Sequence, residues 1–302
     1  MNFIVKYMRV SLFRHGPKNN DPQAHQTGVE AQLDPYKIFQ IREHAREFIS
    51  SSQGHSSFVI ETTPIDRSIS TGYVTHEEVR GKIDMVEPSI NELIGSSAIH
   101  PENDNAINLG SRAMSDIWSK AKKQDDYGGQ QGEHHPLYAW FEQGLDNPQA
   151  RLISDHSSGN PDDPGISIRE IGLRISTYFY EKLTTEDDNP HVVAYGHSGD
   201  IEPWLALTLA MMDENDDGRR TLRDYNLLDY FDSIGGAMEP LASVSLVRDK
   251  TKALFLEGTP LQRRGENGRV SIGQEIFQEQ ARIFRSDGVS NQVLADRLKL
   301  EG

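Results

Sequence analysis

The sequence predicts an α/β sandwich, three layers with a mostly parallel central sheet, and three observations point there. Short apolar runs at 8–13, 58–60 and 191–195 read as buried strands. Segments with helical apolar spacing separate them, and strands alternating with helices are the pattern of a largely parallel sheet. The strands also stop abruptly, at Arg14-His15-Gly16, at Thr62-Thr63-Pro64 and at Gly196-His197-Ser198-Gly199. Carboxyl ends of strands are where open α/β sheets hold their ligands.

Composition narrows the function classes. The 302 residues carry a formal net charge of -15, with 36% hydrophobic and 8% aromatic residues. Nucleic acid and anionic membrane surfaces both require positive surface, so neither is an expected partner. The absence of cysteine removes disulfides, thiolate metal sites and cysteine nucleophiles. No run of about eighteen apolar residues suggests a membrane span. Residues 1–7 hold one lysine and an apolar run too short for a signal peptide, so a cytoplasmic location is the expectation. Met8 would serve as an alternative start.

In chain order, 17–32 is polar and reads as a loop over the first strand end. Asp34-Pro35 is a helix start, with Asp as cap and Pro in the first turn, followed by Ile38, Ile41, Ala45 and Phe48 at helical spacing. The 58–60 strand leads through Thr63-Pro64-Ile65-Asp66-Arg67 into a helix to about Val74. A further strand is expected at 84–87, ending at Pro88. Periodicity is poor over 94–165, read as a polar insertion, a surface excursion or lid, with a helix at 111–122 and an aromatic patch at 137–141. Ser167 and Glu170 form a capping box for a helix with Ile168, Ile171, Ile175, Phe179 and Leu183 on one face. The 191–195 strand precedes a strongly apolar helix at 201–212. A hairpin is expected from 241–247 and 253–256. Residues 8–260 form the expected domain, and 261–302 a carboxyl-terminal helical extension with helices near 274–284 and 291–300.

In a parallel sheet the three strand ends share one edge, which would bring Arg14, His15, Arg67 and His197 together. Two guanidinium groups and an imidazolium match the peripheral oxygens of a phosphoryl group, and a neutral imidazole is a nucleophile for phosphorus. Arg14-His15-Gly16, the Thr-Pro-x-x-Arg-x-x-x-Thr run holding Arg67 and Thr71, and the strand-terminal His197 resemble the histidine phosphatase superfamily, also called phosphoglycerate-mutase-like. Leu33-Asp34-Pro35, Ile90-Asn91-Glu92-Leu93-Ile94-Gly95 and the helix at 167–183 resemble further family segments, over about residues 9–209. The resemblance implies a metal-independent phosphomonoester hydrolase with no cofactor. It makes His15 the nucleophile, with Arg14, Arg67 and His197 as phosphoryl ligands and Glu92 as the acid. Its substrate would be a small phosphorylated molecule or a phosphoprotein. A phosphoglycerate-type mutase, or a non-catalytic phosphate-binding protein of the same fold, are the alternatives.

This chain departs from the family at Pro17 and Lys18, where an acidic residue or Gln and a small hydroxyl are usual. Lys18 stands either beside the phosphate as an added cation or in solvent. Thr63-Pro64 replaces the usual Ser-Pro. A second branch of the superfamily places an Asp directly after its second histidine; here Ser198 follows and Asp200 comes three positions after His197, so Glu92 is favoured over Asp200 as the acid. Asp213-Glu214-Asn215-Asp216-Asp217-Gly218 matches the opening of a calcium loop, but Asp224 stands at its twelfth position and Arg219 and Arg220 lie inside it, which favours a solvated acidic turn. His134, His135 and His156 lack partners at metal-ligand spacing. His44 lies off its helix's apolar stripe, and Trp118, Trp140 and Trp204 are read as packing.

Overall fold

The computed structural model describes residues 8–17, 33–51, 58–63, 66–82, 87–94, 137, 141, 168–184, 191–197, 199–214, 227–249, 251–262 and 268–286. Its strands are β1 (Met8–Arg14), β2 (Phe58–Thr62), β3 (Ser89–Ile90), β4 (His191–Gly196), β5 (Ser243–Arg248), β6 (Leu254–Gly258) and β7 (Arg269–Ile272). Its helices are α1 (Ile38–Ser51), α2 (Asp66–Val79), α3 (Ile168–Thr184), α4 (Ile201–Glu214), α5 (Leu227–Ser233) and α6 (Gln274–Ser286).

All seven strands join one sheet in the order β3-β2-β4-β1-β5-β6-β7. β1, β2, β3 and β4 are mutually parallel, β5 turns antiparallel to β1, and β6 and β7 continue antiparallel. Five of the seven strands therefore run in one direction, and the sheet is mixed because the hairpin expected from sequence is welded onto the central strand.

Alternation along β1 and β4 divides the interior. Val10, Leu12, Val192 and Ala194 face the larger core with α3, α4, α5 and α6. Phe13, Val193 and Tyr195 join Phe58 and Ile60 on the other face. There Tyr195 Oη lies 2.8 Å from Thr75 Oγ1 of α2, and Phe13 meets the His44 ring of α1 edge-on at 4.7 Å. Helices thus cover both faces, as the sequence leads one to expect, and His44 is a packing residue rather than a bystander. In the larger core Phe179 stacks on Trp204 at 4.4 Å, which bears out packing for that tryptophan.

Local signals mostly hold. Asp34 Oδ1 accepts from Tyr36 N at 2.9 Å and caps a 3-10 turn, Pro35–Lys37, that runs into α1. Residues 84–86 of the strand expected at 84–87 lie outside the described residues, and a two-residue strand follows Pro88 at Ser89–Ile90, paired in parallel with Glu61 and Thr62. Leu137 and Phe141, from the expected insertion, are buried in the larger core, and Phe141 stacks on Phe231 at 4.3 Å. Residues 269–286, assigned by sequence to an extension, supply the edge strand β7 and Phe277 of the same core. The segment 111–122, the acidic turn from Asn215 to Asp224, the helix at 291–300, Lys18, Trp118, Trp140, His134, His135 and His156 lie outside the described residues. Among the described residues no helix is long and apolar enough to cross a membrane.

Candidate active site

Register places the site. Arg14 of β1 pairs with Gly196 of β4, and Thr62 of β2 pairs with both Tyr195 and Ile90. The next residue of each strand still hydrogen-bonds sideways: His15 N to Gly196 O at 2.9 Å, Thr63 N to Tyr195 O at 3.0 Å, Asn91 N to Thr62 O at 2.8 Å. His15, His197, Thr63 and Asn91 therefore leave the sheet along one edge.

His15 and His197 meet there, with ring centroids 4.5 Å apart and planes at 57°. His15 is buried, and its Nδ1 lies 2.6 Å from Gly16 O. A carbonyl only accepts, so Nδ1 carries the proton and the neutral ring keeps its lone pair on Nε2. Gly16 does not adopt a left-handed conformation. Its value is space: a Cβ there would meet Ile41 Cδ1 at 2.5 Å and Leu33 Cδ2 at 3.1 Å.

The Arg-x-x-x-Thr spacing from Arg67 to Thr71 has a physical reason. Arg67 lies in the first turn of α2, and Thr71, one turn on, donates to Arg67 O at 2.6 Å while accepting from Gly16 N at 3.0 Å. One hydroxyl ties the helix of Arg67 to the loop after β1. Arg14 donates through Nη1 to Met238 O, and its buried Nε has no hydrogen-bond partner among the described residues. Burial lowers the pKa of the Arg14 guanidinium, opposed by the carboxylates of Glu202 and Glu239. Thr63 Oγ1 is also buried without a hydrogen-bond partner among the described residues. A partnerless buried donor beside cationic groups suits an oxyanion.

His197 O accepts from Asp200 N at 3.2 Å and Ile201 N at 3.4 Å, so α4 begins at the site, and its amino-terminal end favours negative charge. Gly199 makes the turn at φ 96°, with Leu137 Cδ2 only 3.3 Å from where a Cβ would stand. Ser68 Oγ lies 3.3 Å from His197 Nε2, a contact that no motif announced.

Desolvation, then the charges of His15, Arg67 and Arg14, hold the His197 ring well below its ordinary value of 6.5. The unfolded chain takes up a proton near that pH which the native ring refuses. Stability contributed this way is complete above about pH 6.5 and is lost as pH falls below it, by up to about 1.4 kcal/mol per pH unit for one group. Urea unfolding at about pH 7.5 and about pH 5.5 should show the loss, and His197→Asn should flatten it. An unchanged pH dependence in the variant would place its source elsewhere.

Of the two candidate acids, Asp200 is buried at the start of α4. Glu92 opens a 3-10 turn, Glu92–Ile94, directly after β3; its side chain lies outside the described residues. The turn is fixed by Asn91 Oδ1, which accepts from Leu93 N at 3.0 Å. It sits over the site edge, because a Cβ on Gly196 would stand 3.3 Å from Ile94 O. Among the described residues no three His, Asp or Glu side chains gather as a metal cluster.

No family model and no curated relative matches the chain. Solved structures do. A mycobacterial glucosyl-3-phosphoglycerate phosphatase shares 15% identity over 83% of this chain and 96% of its own, with a TM-score of 0.44. Phosphoserine phosphatase from Entamoeba histolytica, in complex with 3-phosphoglyceric acid, shares 12% over 82% and 94%, TM-score 0.43. Hafnia alvei phytase, in complex with tartrate, shares 9% over 94% and 98%, TM-score 0.42. These neighbours are histidine phosphatases. At 9–15% identity and TM-scores below 0.5, no residue role passes from such histidine phosphatases to this chain.

Proposed function

We propose that this protein is a phosphomonoester hydrolase of the histidine phosphatase superfamily, working through a phosphohistidine on His15. The observation that carries the reading is the paired imidazoles 4.5 Å apart, one with Nδ1 held by Gly16 O, among the charges of Arg14 and Arg67. The Nε2 lone pair of His15 attacks phosphorus in line with the ester oxygen. The N–P bond forms as the P–O bond breaks, and the leaving oxygen takes a proton from the acid, assigned to Glu92. Arg14, Arg67 and His197 hold the three peripheral oxygens, where negative charge must be stabilised. The incoming anion reverses the electrostatics around His197 and favours its protonated, donating form. Water, deprotonated by the same acid, then attacks phosphorus, the N–P bond breaks, and inorganic phosphate leaves.

Guanidinium and imidazolium groups supply the positive charge that a metal brings in other phosphatases, so turnover should survive EDTA. A phosphate-release screen over sugar phosphates, nucleotides, phosphoglycerates and phosphoproteins, run in chelator, tests this. Release from at least one class, with one oxygen of the phosphate drawn from labelled water, is the expected result. Silence across all four classes, or activity restored only by magnesium or manganese, rejects it. Return of the phosphoryl group to an organic acceptor would instead make the protein a mutase.

A further inference from the structure

Glu202 is the most completely buried acidic residue among those described, with none of its surface exposed. Burying a carboxylate is costly unless both oxygens are satisfied. Here Oε2 accepts from Gly199 N at 2.8 Å and Oε1 from Met238 N at 2.8 Å. Those donors come from two separate segments. Gly199 lies in the turn that follows His197, and Met238 precedes β5 and offers its carbonyl to Arg14 Nη1. The same carboxylate interacts electrostatically with Arg14. One side chain thus joins the segment behind one phosphoryl ligand to the segment that aims another.

We propose that Glu202 is a positioning residue for phosphoryl binding, holding the Arg14 guanidinium across the strand ends by tying Met238 to the turn after His197. The proposal rests on the reading of Arg14 as a phosphoryl ligand. An acidic group behind an anion site weakens attraction by its charge, so its benefit lies in geometry. Gln in its place is nearly isosteric, yet its amide nitrogen cannot accept from a backbone N–H, and one of the two ties breaks.

The test is a double-mutant cycle read as the Kd for inorganic phosphate by calorimetry, independent of turnover. Glu202→Gln should weaken phosphate binding by about tenfold or more in the wild-type background, and by less than about twofold in Arg14→Lys, because the effect passes through Arg14. Glu202→Asp, which keeps the charge but retracts it, is measured alongside in case the Gln variant fails to fold, and the same contrast is expected. Thr208→Val, on the same helix and bonded to Gln280 at 3.3 Å, is the stability control and should lower Tm while leaving the phosphate Kd unchanged. The Arg14 Nε–H resonance, to be assigned by NMR in the wild type through its loss in Arg14→Lys, should broaden or shift in Glu202→Gln. Equal losses in both backgrounds, or an Arg14 resonance that stays put, overturn the proposal. Wild-type protein that binds phosphate but releases none from any ester overturns only the hydrolase reading, whereas wild type that binds no phosphate overturns both.

Discussion

His15→Ala should abolish turnover, lowering kcat/KM by about four orders of magnitude or more, while the protein stays folded and still binds phosphate. The two effects separate because the residues around His15 divide their work. On the proposed mechanism the ring makes the bond to phosphorus, since its Nδ1 lies against Gly16 O, which leaves Nε2 to react. On the same proposal the peripheral oxygens are held by Arg14, Arg67 and His197, which the substitution leaves in place. Incubation with substrate and a neutral quench should trap phosphate on His15 in the wild type and none in the variant. Phosphate on a carboxylate or hydroxyl would reject the mechanism.

The residues of this division of labour were legible in the sequence to different degrees. The strand-end signals at Arg14-His15 and His197 could be read because each follows a short buried run, and a parallel sheet can only deliver such ends to one edge. Thr71 was visible as part of a spacing, but its reason was not. The hydroxyl that bridges Arg67 O and Gly16 N depends on α2 lying against the loop after β1. Ser68 reads in sequence as an ordinary small residue in a helix, and only the packing of α2 against β4 brings it to His197. Glu202 reads as an acidic residue in the first turn of a helix, where it would favour the helix by charge alone. Its second backbone donor, Met238, is 36 positions away, and no local pattern carries that information. β7 carries only two apolar residues, Val270 and Ile272, too short an alternation to mark a strand by itself. β3 has no signal of its own either: a two-residue strand is made by its partner, β2, rather than by its own composition.

The site also answers a question raised by composition. A chain of net charge -15 repels anions at a distance, so a phosphorylated substrate gains nothing from long-range steering. What it gains is local. At the mouth of the parallel strands two half-buried arginines, two buried imidazoles and the amino-terminal end of α4 come together, where partial burial strengthens their interactions. Added salt should therefore speed association, by screening the overall field, more than it weakens the bound state.

The second large effect concerns the acid. Its task is to give a proton to the leaving oxygen, so its loss should be felt most by the substrate whose leaving group needs that proton most. An alkyl phosphate departs as a basic alkoxide, whereas a nitrophenyl phosphate departs as a stabilised phenolate. Glu92→Gln should slow alkyl phosphate hydrolysis by roughly a hundredfold or more, the usual size of a general-acid contribution, and aryl phosphate cleavage much less. The 3-10 turn that carries Glu92 follows β3 at the same sheet edge as His15, and its Ile94 carbonyl abuts Gly196, which puts the backbone of that turn beside the residue before His197. Asp200 is buried where α4 starts, and its backbone N–H is bonded to His197 O. In that position it orders the turn under His197, so Asp200→Asn should slow both substrates by similar and smaller factors. Pre-steady-state release of the leaving group from the two esters, in both variants, separates the roles. If Asp200→Asn carries the leaving-group dependence and Glu92→Gln does not, the proton comes from the helix start instead, and the chemistry is that of the superfamily's other branch.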